Sequence, residues 1–133
     1  LDSEAGNYKT AREHYESALK TARSFSHRPY LIKALLARGM FLAKYHKDLT
    51  GFQNLSGLEQ AFNDLNEALG YCLESGYRIY EADVRVGLAW AYLANGENEK
   101  ARQSAERAKQ MSNEMGYHWG KVDAEEVLKA ISG

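Results

Sequence analysis

Histidine, cysteine and carboxylate side chains carry most acid–base, nucleophilic and metal chemistry near neutral pH, so their spacing is weighed first. His14, His27, His46 and His118 have no partner at the spacing of a metal site or a catalytic triad. Glu125 and Glu126 are adjacent, which on a helix turns them in different directions and keeps them from working as a pair. Cys72 falls on an inward-facing helical pattern, with Glu67 and Glu74 near it in sequence rather than bases, the setting of an inert core thiol. No glycine-rich phosphate loop follows a strand, because no strand pattern is present. These residues offer no catalytic, metal or cofactor site, and the chain is read as non-enzymatic.

The chemistry left to such a chain is recognition, and composition bounds its partners. Lys and Arg number 17 against 18 Asp and Glu, a net charge of -1, so no global field draws the chain to phosphate backbones or anionic lipid. No apolar run approaches the roughly 18 to 20 residues that span a bilayer. A lone cysteine cannot close an internal disulfide, and a reducing, cytoplasmic setting is expected. With 133 residues, 44% of them hydrophobic, there is material for one domain with its own core. One proline, no period-two alternation and abundant Ala, Leu, Glu, Lys and Arg predict an all-α fold.

An internal repeat organises the elements. Ala11, Tyr15, Ala18 and Leu19 share their spacing with Ala61, Leu65, Ala68 and Leu69 fifty residues later, and Ala101, Ala105 and Ala108 repeat it after forty more. A second landmark moves in step: His27-Arg28-Pro29-Tyr30 recurs as Tyr77-Arg78-Ile79-Tyr80 and as Tyr117-His118-Trp119-Gly120. The unit is about forty residues, with a ten-residue insertion at 48–57 in one copy. Leu49, Phe52 and Leu55 in the insertion are expected to tuck over the end of the stack. Glycines at 76, 96 and 116 mark helix stops. The pattern predicts six helices, at 8–25, 29–47, 58–74, 79–95, 97–115 and 119–131. Alanines within each apolar stripe let neighbouring helices approach closely. The aromatics at 77–80 and 117–119 are read as plugs between successive hairpins.

Leu88-Ala89, Tyr92, Gly96, Ala101 and Ala108 resemble the tetratricopeptide (TPR) signature, and Gly6, Tyr8, Ala11, Tyr15, Ala18 and Leu19 resemble the second half of a preceding unit. The middle unit is weaker, with Gly39 and Leu42 in place of Ala89 and Tyr92. The long unit is similar to the longer-helix TPR variants that follow nucleotide-binding regions in large bacterial signalling NTPases and regulators. The resemblance implies a right-handed superhelical stack of antiparallel helical hairpins, an α-solenoid whose first helices line a concave groove. It divides the chain into the second half of a repeat at 1–25, repeats at 29–75 and 79–115, and the first helix of a further repeat at 119–133. A fragment of a larger protein is expected, with a homodimer through the open repeat ends as one outcome.

On that geometry the concave partner groove carries Lys33, Leu36, Met40 and Lys44 on the second helix, Asp83, Val86 and Trp90 on the fourth, and Asp123 and Glu126 on the sixth. Charge runs from basic to acidic, with Met40 and Trp90 as adaptable and aromatic anchors between. Such a groove fits a protein or peptide segment with an acidic and a basic end. The lysine and asparagine clamp with which some chaperone-binding TPR domains hold a C-terminal carboxylate is absent, since Val86 and Trp90 replace the polar pair. The leading expectation is a protein–protein interaction scaffold. The alternatives are an intramolecular regulatory arm or oligomerisation module of a multidomain signalling NTPase and, against the charge balance, a nucleic-acid-binding helical repeat using Arg28, Lys33, Arg38, Lys44 and Lys47.

Overall fold

The computed structural model describes residues 2–45 and 57–133, and the side chains of 7–45 and 57–133. Six helices account for these residues: α1 (Asp2–Ser24), α2 (Arg28–Tyr45), α3 (Gly57–Ser75), α4 (Arg78–Ala94), α5 (Asn98–Met115) and α6 (His118–Ser132). The insertion, apart from Gly57 which opens α3, and the expected end of the second helix at Lys47 lie outside the described residues. The first helix starts at Asp2 rather than at Tyr8. The apolar stripe begins at Tyr8, but extending an existing helix needs only one further backbone hydrogen bond per residue, so the helix outruns the stripe.

Helix ends follow from local chemistry. Gly76, Gly96 and Gly116 take φ values of 72°, 77° and 68°, the left-handed region that glycine enters without a β-carbon clash. In each turn the next residue's N–H returns to a carbonyl five residues back: Tyr77 to Cys72, Glu97 to Tyr92 and Tyr117 to Ser112. The α1–α2 turn has no glycine. There the Tyr30 N–H donates to His27 Nδ1 at 3.3 Å, and Pro29 occupies the first turn of α2, where its missing donor costs nothing.

Helices pack on their sequence neighbours as a stack of antiparallel hairpins. The even-numbered helices also pack on one another, α2 on α4 and α4 on α6, whereas among the described residues the odd-numbered ones make no comparable contact. One layer is therefore more closely spaced than the other, and the stack curves with α2, α4 and α6 on its inner side. α4 lies between two cores and shows a stripe to each. Val84, Leu88 and Ala91 join the core built with α1, α2 and α3, while Val86 and Ala89 join a smaller one with α5 and α6. Both stripes step by three or four residues, the spacing that aligns side chains along a helix.

A charged group is buried inside this packing, between α2 and α3. Arg38 of α2 donates through Nε and Nη2 to the two carboxylate oxygens of Asp64 on α3, both at 2.7 Å, and Gln60 Nε2 adds a third bond at 3.0 Å. Asp64 is only 1% exposed, so removing its partner leaves a desolvated charge. Arg38→Met is expected to cost about 3–5 kcal/mol. Arg38→Met combined with Asp64→Leu should recover most of that loss, because neither charge then remains. Urea unfolding of the three proteins tests this, and a double variant no more stable than Arg38→Met would refute it.

Candidate functional site

A cavity of about 310 Å³ opens on the inner side of the stack between three helices. Leu36, Met40 and Lys44 of α2, Asp83, Val86 and Trp90 of α4, and Asp123 and Glu126 of α6 line it, with Tyr117 from the turn before α6. Eight of the nine groove residues expected from the sequence are thus brought together. Lys33 lies exposed and outside the cavity. It shares a helix face with Leu36, but a lysine stem gains most by carrying its ammonium into water.

Close backbone approach builds the floor. A β-carbon on Gly87 would stand 3.1 Å from Met40 Sδ and 3.3 Å from Leu36 Cδ1, so these two α2 side chains lie directly against the α4 backbone. Trp90 sits one helical turn beyond Gly87 and is half-buried. It packs against both cores while one part of it faces the cavity. The Lys44 ammonium lies over its ring, 5.7 Å from the centroid.

The rest of the lining is acidic. Burial pushes the Asp83 carboxyl above the usual aspartate range, the Tyr117 hydroxyl pulls it back through a 2.8 Å bond to Oδ1, and the Asp123 charge adds to the upward push. Asp123 is raised as well, first by burial and then by Glu126, with Lys44 acting in the opposite sense. The Tyr117 phenol is held protonated well above its ordinary value by burial and by its bond to Asp83. Perturbed carboxylates in a concave site beside an aromatic ring mark a place where charge recognition can occur.

Tyr117, which reads in the sequence as a plug between hairpins, lines the cavity instead of lying apart from it. It does bridge α4 to the turn before α6, but its hydroxyl also forms part of the cavity wall. The signal lies in the repeat: Tyr77 and Tyr117 share one position, and so do Lys33 and Asp83, but only the carboxylate can accept the phenol's hydrogen bond. Trp119, expected as a plug, is 65% exposed at the start of α6 and stacks edge-on against His118. Tyr77 and Tyr80 do pack against the larger core.

The remaining chemistry-bearing residues have structural surroundings. Arg38 is spent on Asp64, Arg28 stacks over Tyr71 at 4.0 Å, and Lys47 and His46 lie outside the described residues. Cys72 is buried, and its thiol is pushed up to about 11, first by burial and then by the charges of Glu81 and Asp83. Among the described residues no group of three His, Cys, Asp or Glu side chains is placed to hold a metal ion. No helix among them is long and apolar enough to cross a membrane. A larger hollow of about 720 Å³ lies along the flank of α5 and α6, lined by Lys109, Val122, Glu125, Glu126, Leu128, Lys129 and Ser132. Two helices form it where three enclose the inner cavity, and it has no aromatic side chain, so the inner cavity is the stronger site.

No family model matches this sequence, and no curated protein matches it at a significant level.

The raised carboxylate also predicts a pH dependence. A folded-state value above the unfolded one means that ionised Asp83 costs stability at neutral pH, and that the cost disappears as pH falls through the raised value. Asp83→Asn keeps an oxygen for the Tyr117 hydroxyl and removes the charge. It should therefore raise the melting temperature at pH 7, by a margin that closes as pH approaches the ordinary aspartate value of 3.8. Thermal unfolding followed by circular dichroism across a pH series checks it, and a lower melting temperature at pH 7 would contradict it.

Proposed function

We propose that this chain is a non-catalytic, TPR-like repeat domain of a cytoplasmic protein, and that it binds a protein or peptide segment in the groove formed by α2, α4 and α6. One observation carries the reading. An apolar floor of Leu36, Met40, Val86 and Trp90 is continuous across two helices, and charged side chains from three helices border it. A volume of about 310 Å³ lies at the small end of ligand pockets and accepts one or two side chains of an extended or helical segment rather than a folded surface. A methionine beside a tryptophan gives a floor that adapts to the side chain it meets. The lone buried thiol fits a reducing compartment.

Peptides selected from a display library test the reading. Binding should perturb the Met40 methyl and Trp90 indole resonances, and Trp90→Ala should weaken it at least about tenfold. Selected peptides that leave both resonances unmoved would show that the groove is not the site.

The flank of α6 favours a second reading, self-association. Val122 is 36% exposed there, and Leu128 lines the same hollow of about 720 Å³. Light scattering across a concentration series should then give a mass that rises toward twice 15.0 kDa, and Val122→Asp should return it to the monomer. A constant monomer mass removes this reading and leaves the groove.

A further inference from the structure

Among the described residues the inner groove holds three carboxylates, Asp83, Asp123 and Glu126, against one cation, Lys44. That imbalance sits beside the face of a tryptophan ring, an electron-rich surface that attracts ammonium and guanidinium groups. The chain already supplies one example of what the site draws in. Lys44 extends its ammonium over Trp90, at 5.7 Å from the ring centroid, and its charge is felt by Asp123. The hold is loose: Lys44 is exposed, its stem is flexible, and a cation over a ring at that distance in water is weakly bound.

From this we infer that the groove's partner is a basic peptide segment that lays a lysine or arginine side chain across Trp90 toward Asp123 and Glu126, displacing Lys44, which occupies that place in the free protein. The inference rests on the groove reading and names its occupant. Charge complementarity selects a cation, since an acidic residue at this point would meet three like charges. The apolar floor selects a peptide over a small free cation, because Leu36, Met40 and Val86 offer contact to a neighbouring aliphatic side chain and nothing to a bare ammonium. Arginine fits better than lysine, because its planar group can stack on the indole while its edge donates to a carboxylate.

The role of Lys44 gives the test its sign. If Lys44 held an acidic residue of the partner, removing it would weaken binding. As a resident competitor it should do the reverse. The protein used carries Trp119→Phe, so that Trp90 alone reports by fluorescence, and the probes are capped peptides of about ten residues in which leucine and alanine alternate with arginine, glutamine or glutamate. The arginine peptide is expected to change Trp90 emission saturably, and more weakly as salt rises. Lys44→Ala and Lys44→Gln should each tighten it roughly two- to fivefold, while Asp123→Asn with Glu126→Gln should weaken it. Lys44 variants that bind the arginine peptide less well, or a glutamate peptide that binds best through Lys44, would overturn the inference and leave the groove reading standing. Arginine amide binding as tightly as the peptide would overturn the peptide as occupant. If no peptide of any charge moves Trp90 emission, the inference and the groove reading fall together.

Discussion

Leu65 lies where α2, α3 and α4 meet, and the two backbones beside it carry glycine. A β-carbon on Gly39 would stand 2.7 Å from Leu65 Cγ, and one on Gly87 2.8 Å from its Cδ2, both inside the distance at which real carbon atoms rest. Glycine inside a helix costs about 0.5–1 kcal/mol relative to alanine. Burying one leucine contributes about 1.5–3 kcal/mol, so seating Leu65 against both backbones more than offsets one such glycine and roughly balances the two. The consequence reaches beyond the core. Because α2 and α4 approach so closely at Gly87, Leu36 and Met40 cross the gap and become the floor of the inner cavity.

Charge is treated differently on the two sides of the inner helices. Toward the odd-numbered layer, carboxylates are matched: Asp64 takes two bonds from Arg38 and one from Gln60, and Glu67 takes two from Arg23 and one from Tyr71. The Arg23 guanidinium accordingly holds the Glu67 carboxyl below its usual range. Toward the inner cavity, Asp83 has the neutral Tyr117 hydroxyl as its partner, and Asp123 has Lys44 only at a distance. Half-burying the Asp83 carboxylate without a matching cation is unfavourable for folding alone. The contrast separates carboxylates paired with arginine across helices from carboxylates that line the cavity with no arginine partner.

Much of this architecture is legible in the sequence because the same small residues recur at fixed offsets. Ala61, Ala68, Ala101, Ala105 and Ala108 of the two later copies are fully buried, Ala11 and Ala18 of the first copy are half-buried, and the glycines read as helix stops all have positive φ. Eight groove residues are legible for the same reason, since a shared position in the repeat places side chains on a shared face. Features that depend on side-chain length and partner chemistry are less accessible. Lys33 leaves the cavity because its stem can reach water. Arg38 reads as a surface cation until Asp64, 26 residues away, is seen to be buried beside it. Trp119 reads as an aromatic plug, yet it is largely exposed, and so is Ile79 at the same repeat position in the first turn of α4.

Among the described residues, Trp90 is the half-buried side chain that both cores share, one formed with α1 to α3 and the other with α5 and α6. In a stack whose stability is a sum of units and the joints between them, a side chain common to two units belongs to the joint. A force applied to its exposed part on the inner side is therefore transmitted to the packing of two hairpins at once. The groove floor is thus part of the joint itself, and the shape of the groove and the packing of the units it joins are not independent.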